Sequence, residues 1–168
     1  MSFPTQTITT LLFDWDGTIV DSHQLGLNAF EQSFIALGIA FDHEVYTRVY
    51  SPNWYSVYEA MGLPEEKWKL ADELWIQHYG DQTAPPICGA KETIAALHQR
   101  GYMMGVVSSG SHCRVIREVD ELGLAGLFDV VVCSEQMQNK KPHPEGLELA
   151  LQSLGRQREE TCYVGDSP

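Results

Sequence analysis

The stretch Leu11-Leu12-Phe13-Asp14-Trp15-Asp16-Gly17-Thr18 decides the fold. Packing alone does not call for an apolar run that stops at two carboxylates flanking one tryptophan. Ile8 to Phe13 carries the β-branched and apolar side chains of a buried parallel strand, and Gly17 punctuates its end. In an open α/β sheet, ligands collect beyond the carboxyl ends of the strands, which puts Asp14 and Asp16 at the mouth of a site. Two neighbouring carboxylates repel, and burial raises the cost of charging both. A divalent metal or a difference in protonation is the expected remedy. Each remedy is also chemistry, since one carboxylate can serve as nucleophile and metal ligand and the other as general acid and base. The competing reading is a strand-end turn whose acids cap the next helix.

The remainder of the chain contains more strand ends of the same kind. Tyr102 to Val107 reads as a strand ending in Ser108-Ser109-Gly110-Ser111. Phe128 to Cys133 reads as a third, followed by Asn139-Lys140-Lys141-Pro142-His143-Pro144, and Thr161 to Val164 as a fourth, ending in Gly165-Asp166-Ser167-Pro168. Helical spacing separates them over Lys91 to Arg100, from His112 to Gly123 with a stripe of Val115, Ile116, Val119 and Leu122, and over Pro144 to Leu154. Strand alternating with helix predicts a parallel, doubly wound sheet with right-handed crossovers.

Between the first strand and that alternation lies a block with no strand pattern. Leu25, Ala29, Phe30, Phe34 and Leu37 begin it, with Asp21 or Ser22 as expected helix caps, and Trp68, Leu70, Leu74, Trp75 and Tyr79 close it. Ser51-Pro52-Asn53 and Gly62-Leu63-Pro64 break it into shorter helices. With three of the four tryptophans, the block reads as a helical bundle that makes its own core. The expected division is an α/β core of residues 1–20 and 89–168 with a helical insertion at 21–88. Within the insertion, Arg48 near a turn is placed to meet an anion in bidentate fashion, beside Asn53-Trp54-Tyr55. A solvated arginine and packed aromatics are the alternative.

Composition narrows the function classes. The chain has 168 residues, 43% hydrophobic and 20% charged, which suits one globular domain carrying an insertion. A net charge of −12 argues against nucleic acid or an anionic membrane surface as partner. The four cysteines, Cys88, Cys113, Cys133 and Cys162, lack Cys-x-x-Cys spacing and read as reduced residues. No signal peptide or membrane-length apolar run is found, so a cytoplasmic protein is expected.

Taken together, Asp14-Trp15-Asp16-Gly17-Thr18, Ser108 at the second strand end, Lys141-Pro142-His143-Pro144 and Gly165-Asp166 resemble the four motifs of the haloacid dehalogenase superfamily. The resemblance, closest to the phosphoglycolate phosphatase-like subgroup, implies a Rossmann-like α/β core with a helical cap inserted after the first strand. It also implies a magnesium-dependent phosphatase acting on a small-molecule phosphate ester. Asp14 would be the nucleophile, Asp16 the acid and base, and Lys141 their catalytic partner, chosen over Lys140 by the proline spacing. Thr18, Ser108, Ser109 and Gly110 would bind substrate. Mg2+ would be held by the carboxylates of Asp14 and Asp166 and by the backbone carbonyl of Asp16, an all-oxygen set suited to a hard cation.

Members of the superfamily continue with another acid, helix and strand, so the sequence is expected to lack the carboxyl-terminal part of the core. A phosphomutase shares these motifs, and a non-catalytic scaffold could keep the fold. A dehalogenase lacks the second acid of the first motif. The sequence does not set an oligomeric state.

Overall fold

A computed structural model describes residues 7–51 and 53–167. Pro52, in the first expected break of the helical block, and Pro168 lie outside the described residues. Four strands, β1 (Thr10–Phe13), β2 (Met103–Val107), β3 (Val130–Val132) and β4 (Thr161–Val164), form one parallel sheet in the order β3-β2-β1-β4. The helices are α1 (His23–Ala36), α2 (His43–Val49), α3 (Tyr55–Ala60), α4 (Trp68–Tyr79), α5 (Ala90–Gln99), α6 (His112–Glu121) and α7 (Glu145–Leu154). The chain forms two compact units, one running through Asp21 and resuming at Pro85–Asp166, the other Ser22–Ala84.

The sheet belongs to the first unit. β1 and β2 are short and apolar because they are covered on both faces: Met104 to Val107 and Leu12 to Phe13 are consecutive buried residues, whereas Cys162 and Val164 of the edge strand β4 are exposed. Leu12, Val107 and Val132 pack with Ala150 and Leu151 of α7. From β1 the chain winds outward through β2 to β3, then returns to the opposite side of β1 as β4. The order therefore reverses between β1 and β4, where a ligand crevice is expected in such sheets. Phe13 stands opposite Val106 on one side and Val164 on the other, so the residues following all three strands emerge at one level.

The third strand is shorter than its sequence suggests. Asp129 donates its N–H to the Met104 carbonyl and accepts the Met104 N–H on its own carboxylate, replacing a ladder bond. Phe128 instead makes T-shaped ring contacts with Phe13 and Trp15, and the Cys133 N–H goes to Gln136. Ser22 stands at the amino end of α1 but does not cap it. Its backbone is already helical, at φ −91° and ψ −1°, so its hydroxyl makes no capping bond. Asp42 does cap α2, accepting from the N–H groups of Glu44 and Val45 at 2.9 Å each.

The second unit is all helical. Phe30, Phe34, Tyr46, Val57, Tyr58, Leu63 and Ala71 form its core, flanked by Trp54, Tyr55, Trp68 and Trp75. Three polar aromatic tips converge on one carboxylate: Trp54 Nε1, Tyr55 OH and Tyr58 OH donate to Asp72 at 2.8, 3.2 and 2.9 Å. Burial, followed by the Asp72 charge, pushes the Tyr55 phenol up to about 12. No helix among the described residues is long and apolar enough to cross a membrane.

Candidate active site

Asp14 is the first residue beyond β1, and its backbone N–H still donates to Val164 of β4 at 2.8 Å. That bond places it at the reversal point of the sheet. The Asp14 side chain is buried, with the residue 8% exposed. Its Oδ1 accepts the Trp15 N–H at 2.7 Å and lies 2.8 Å from Lys141 Nζ. Burial, the largest influence, pushes its proton affinity above the ordinary carboxylate value, and the adjacent Lys141 ammonium pulls it partly back. Lys141 also donates to Tyr163 OH at 2.9 Å. Burial, then the neighbouring Asp14 charge, keeps the Tyr163 phenol protonated well past its usual range.

Glu145, the first residue of α7, presents Lys141 by holding the loop before it. Its carboxylate accepts the N–H groups of Gln138 and Asn139 and the Asn139 amide, each at 2.8 Å. These bonds, led by the one from Gln138, lower the Glu145 proton affinity.

Asp16 is held on its other side. Arg114 of α6 donates to both carboxylate oxygens, NH1 to Oδ1 at 3.0 Å and NH2 to Oδ2 at 2.7 Å. Ser108, fully buried at the end of β2, donates weakly to Asp16 Oδ2 at 3.4 Å and accepts the Gly110 N–H at 2.9 Å. Ser111 leaves the amino end of α6 uncapped by its side chain; the carboxylate of Glu135 accepts the His112 N–H instead. Gly110 makes room: a Cβ there would collide with the Arg114 guanidinium. Ser109 and Thr18 each carry a buried hydroxyl with no hydrogen-bond partner among the described residues.

Asp166 lies two residues beyond the end of β4, and its carboxylate occupies the space a Cβ at Gly17 would fill. Gly17 has φ +75°, a left-handed conformation open to glycine. The backbone at Gly17 and the Asp166 carboxylate are therefore in close approach. Among the described residues no three acidic, histidine or cysteine side chains form a metal cage. Two carboxylates and a backbone carbonyl need no such cage, and the donor set is all oxygen. Asp14, Asp16, Glu118 and Asp166 outnumber Lys141 and Arg114 by two charges, an imbalance that one divalent cation offsets. These residues fit a hard dication.

The first unit thus gathers Asp14, Asp16, Ser108, Lys141 and Asp166 around one set of strand ends. It does not include Arg48, which lies exposed on α2 of the second unit, beside His43, Glu44 and Thr47 at a surface cavity of about 460 Å³. Sequence reasoning missed Arg114, Glu118 and Tyr163. Only a buried position among apolar neighbours could have flagged Tyr163, and the i, i+4 spacing of Arg114 and Glu118 reads as a surface pair. Cys133, near the same cations and acids, is pushed up to about 12, chiefly by burial, and is poorly suited to act as a thiolate.

The sequence pattern of the haloacid dehalogenase-like hydrolases matches residues 11–168. The chain belongs to that family and is a hydrolase. It is similar to the pyrophosphatase PpaX of Listeria innocua, with 32% identity over 97% of this chain and 76% of the relative. Among solved structures it is similar to a haloacid dehalogenase-like hydrolase from Bacteroides fragilis, with a TM-score of 0.86 and 23% identity over 96% of this chain and 80% of that one. It is also similar to CbbY from Rhodobacter sphaeroides in complex with phosphate, with a TM-score of 0.75 and 22% identity over 94% of this chain and 77% of that one.

Proposed function

We propose that this hydrolase is a phosphatase that cleaves a small phosphate ester through an aspartyl-phosphate on Asp14, with Mg2+ as cofactor. The observation that supports it most directly is the 2.8 Å pair of Lys141 with Asp14 at the end of β1, beside the second acid, Asp16. A buried carboxylate with one cationic neighbour and raised proton affinity is typical of functional sites rather than of strand ends.

In the first step a carboxylate oxygen of Asp14 attacks phosphorus in line with the leaving oxygen. The bond to that oxygen breaks while Asp16 supplies its proton, leaving an acyl phosphate on Asp14. In the second step Asp16 takes a proton from water, whose oxygen attacks phosphorus. The bond between phosphorus and Asp14 then breaks, returning the carboxylate and releasing phosphate. Lys141 and Ser108 orient the phosphoryl group, Lys141 offsets its charge, and Thr18 and Ser109, whose buried hydroxyls have no partner among the described residues, are proposed as further donors to it. Mg2+, held by Asp14, Asp166 and the Asp16 carbonyl, would supply charge stabilisation at the phosphoryl oxygens. The helical unit Ser22–Ala84 is the proposed cap, with Arg48 as its anion-binding residue.

The test is Mg2+-dependent release of inorganic phosphate from a panel holding phosphoglycolate, sugar phosphates and pyrophosphate, the last because a relative is a pyrophosphatase. Turnover that Asp14→Asn abolishes supports the reading, and undiminished turnover in that variant ends it. Interconversion of a sugar phosphate without phosphate release would mark a mutase. No turnover, with no effect of Mg2+ on stability, would mark a scaffold.

A further inference from the structure

The side chain of Arg114 is 6% exposed and that of Glu118, one helical turn further along α6, is 0% exposed. Two buried charges on one helix face are costly unless each has partners of good geometry. Both have them. Glu118 Oε2 accepts Trp15 Nε1 at 2.6 Å and Arg114 NH1 at 3.1 Å. Arg114 grips both oxygens of Asp16. The chain Trp15–Glu118–Arg114–Asp16 therefore starts and ends on the same loop, because Trp15 is the residue between the two proposed catalytic acids.

We propose that Arg114, itself held by Glu118 and Trp15, is the positioning residue that fixes the Asp16 carboxylate for proton transfer. This rests on the phosphatase reading above. Three features point beyond packing. The grip is bidentate, which fixes the plane of the carboxylate as well as its position. The two charge-assisted bonds take one lone pair of each oxygen, so the grip itself does not bar either oxygen from a leaving group or water. Gly110 has no side chain where the guanidinium passes. The Ser108 contact, at 3.4 Å, is longer than either bond from the guanidinium. Without Arg114 both guanidinium bonds are lost, and general acid catalysis falls steeply with misplacement.

The leaving group separates positioning from mere stability. A p-nitrophenolate departs without a proton, whereas an alkoxide needs one. In the pair variant Arg114→Met with Glu118→Gln, which leaves no unmatched buried charge, kcat on an alkyl phosphomonoester should fall about 100-fold. On p-nitrophenyl phosphate it should fall less than about tenfold. Asp16→Asn should show the same split, and adding it to the pair variant should add little. Arg114→Lys, which keeps the charge and loses the fork, should lie between. Thermal unfolding reports whether each variant is folded. Equal losses on both esters, or no loss, would overturn the inference while leaving the phosphatase reading intact. A wild-type chain that cleaves neither ester would overturn the phosphatase reading, and the inference with it.

Discussion

The ammonium of Lys141 stands 2.8 Å from Oδ1 of Asp14, two groups that lie 127 positions apart in the chain. Their pairing is the main force opposing burial in setting the proton affinity of the proposed nucleophile, through both charge and hydrogen bond. Removing Lys141 leaves the burial contribution with little to counter it beyond the Trp15 N–H. Lys141→Ala should therefore move the acid limb of kcat/KM to higher pH and lower kcat at neutral pH by roughly 100-fold or more. A pH–rate profile checks this, and an acid limb that stays where it is in the wild type would contradict it.

The same raised proton affinity has a consequence for stability, with a sign opposite to that of an ordinary paired carboxylate. Between the unfolded value of 3.8 and the higher folded value, the native state holds more protons than the unfolded one. Stability from this group is thus present in full below the unfolded value and lost as pH rises through the folded value. Asparagine does not titrate. The stability of Asp14→Asn relative to the wild type should improve as pH rises from about 4 toward neutrality, even though the change removes the partner of Lys141. Thermal unfolding of both proteins across that range measures it. A relative stability that falls with rising pH would show that Lys141, rather than burial, governs Asp14.

The strand ends were legible because each is an apolar run interrupted by residues that packing does not need: Asp14 after Phe13, Ser108 after Val107, Asp166 two residues after Val164. The reversal of strand order between β1 and β4 follows from alternation alone only as one of several topologies. The position of Lys141 against Asp14 is a product of that topology. Arg114 and Glu118 were hidden for a different reason. On a helix they have the spacing of a solvated ion pair, and their burial depends on partners, Asp16 and Trp15, about 100 positions away in sequence. Ser22 was misleading as a cap because capping requires an extended backbone at that position, which a residue's identity does not guarantee.

Gly17 allows a test of how the Asp166 carboxylate is placed. An alanine there would carry the cost of a left-handed backbone, on the order of 1–2 kcal/mol, and would also strike Asp166. Gly89 is the control, with φ +80° and nothing within 4 Å of a Cβ. Both variants should lower the melting temperature, Gly17→Ala at least as much as Gly89→Ala. Only Gly17→Ala should raise the Mg2+ concentration needed for half-maximal phosphate release. Equal Mg2+ dependence in the two variants would remove Asp166 from the metal site.

Glu145 ties the fold to the site at the loop carrying Lys141, since three donors from Gln138 and Asn139 end on its carboxylate. Those bonds lower its proton affinity, so the order it confers is present above the unfolded value and lost as pH falls through the folded one. Glu145→Ala removes all three acceptor contacts at any pH, and the loop from Gln138 to Lys141 should open more often. Trypsin reports this directly at the bond between Lys140 and Lys141, since a protease cuts only chain that has left its native conformation. Cleavage after Lys140 should be several-fold faster in the alanine variant. Glu145→Gln, which keeps an acceptor oxygen, should fall between it and the wild type. If all three chains are cut at the same rate, the loop owes its order to something other than Glu145.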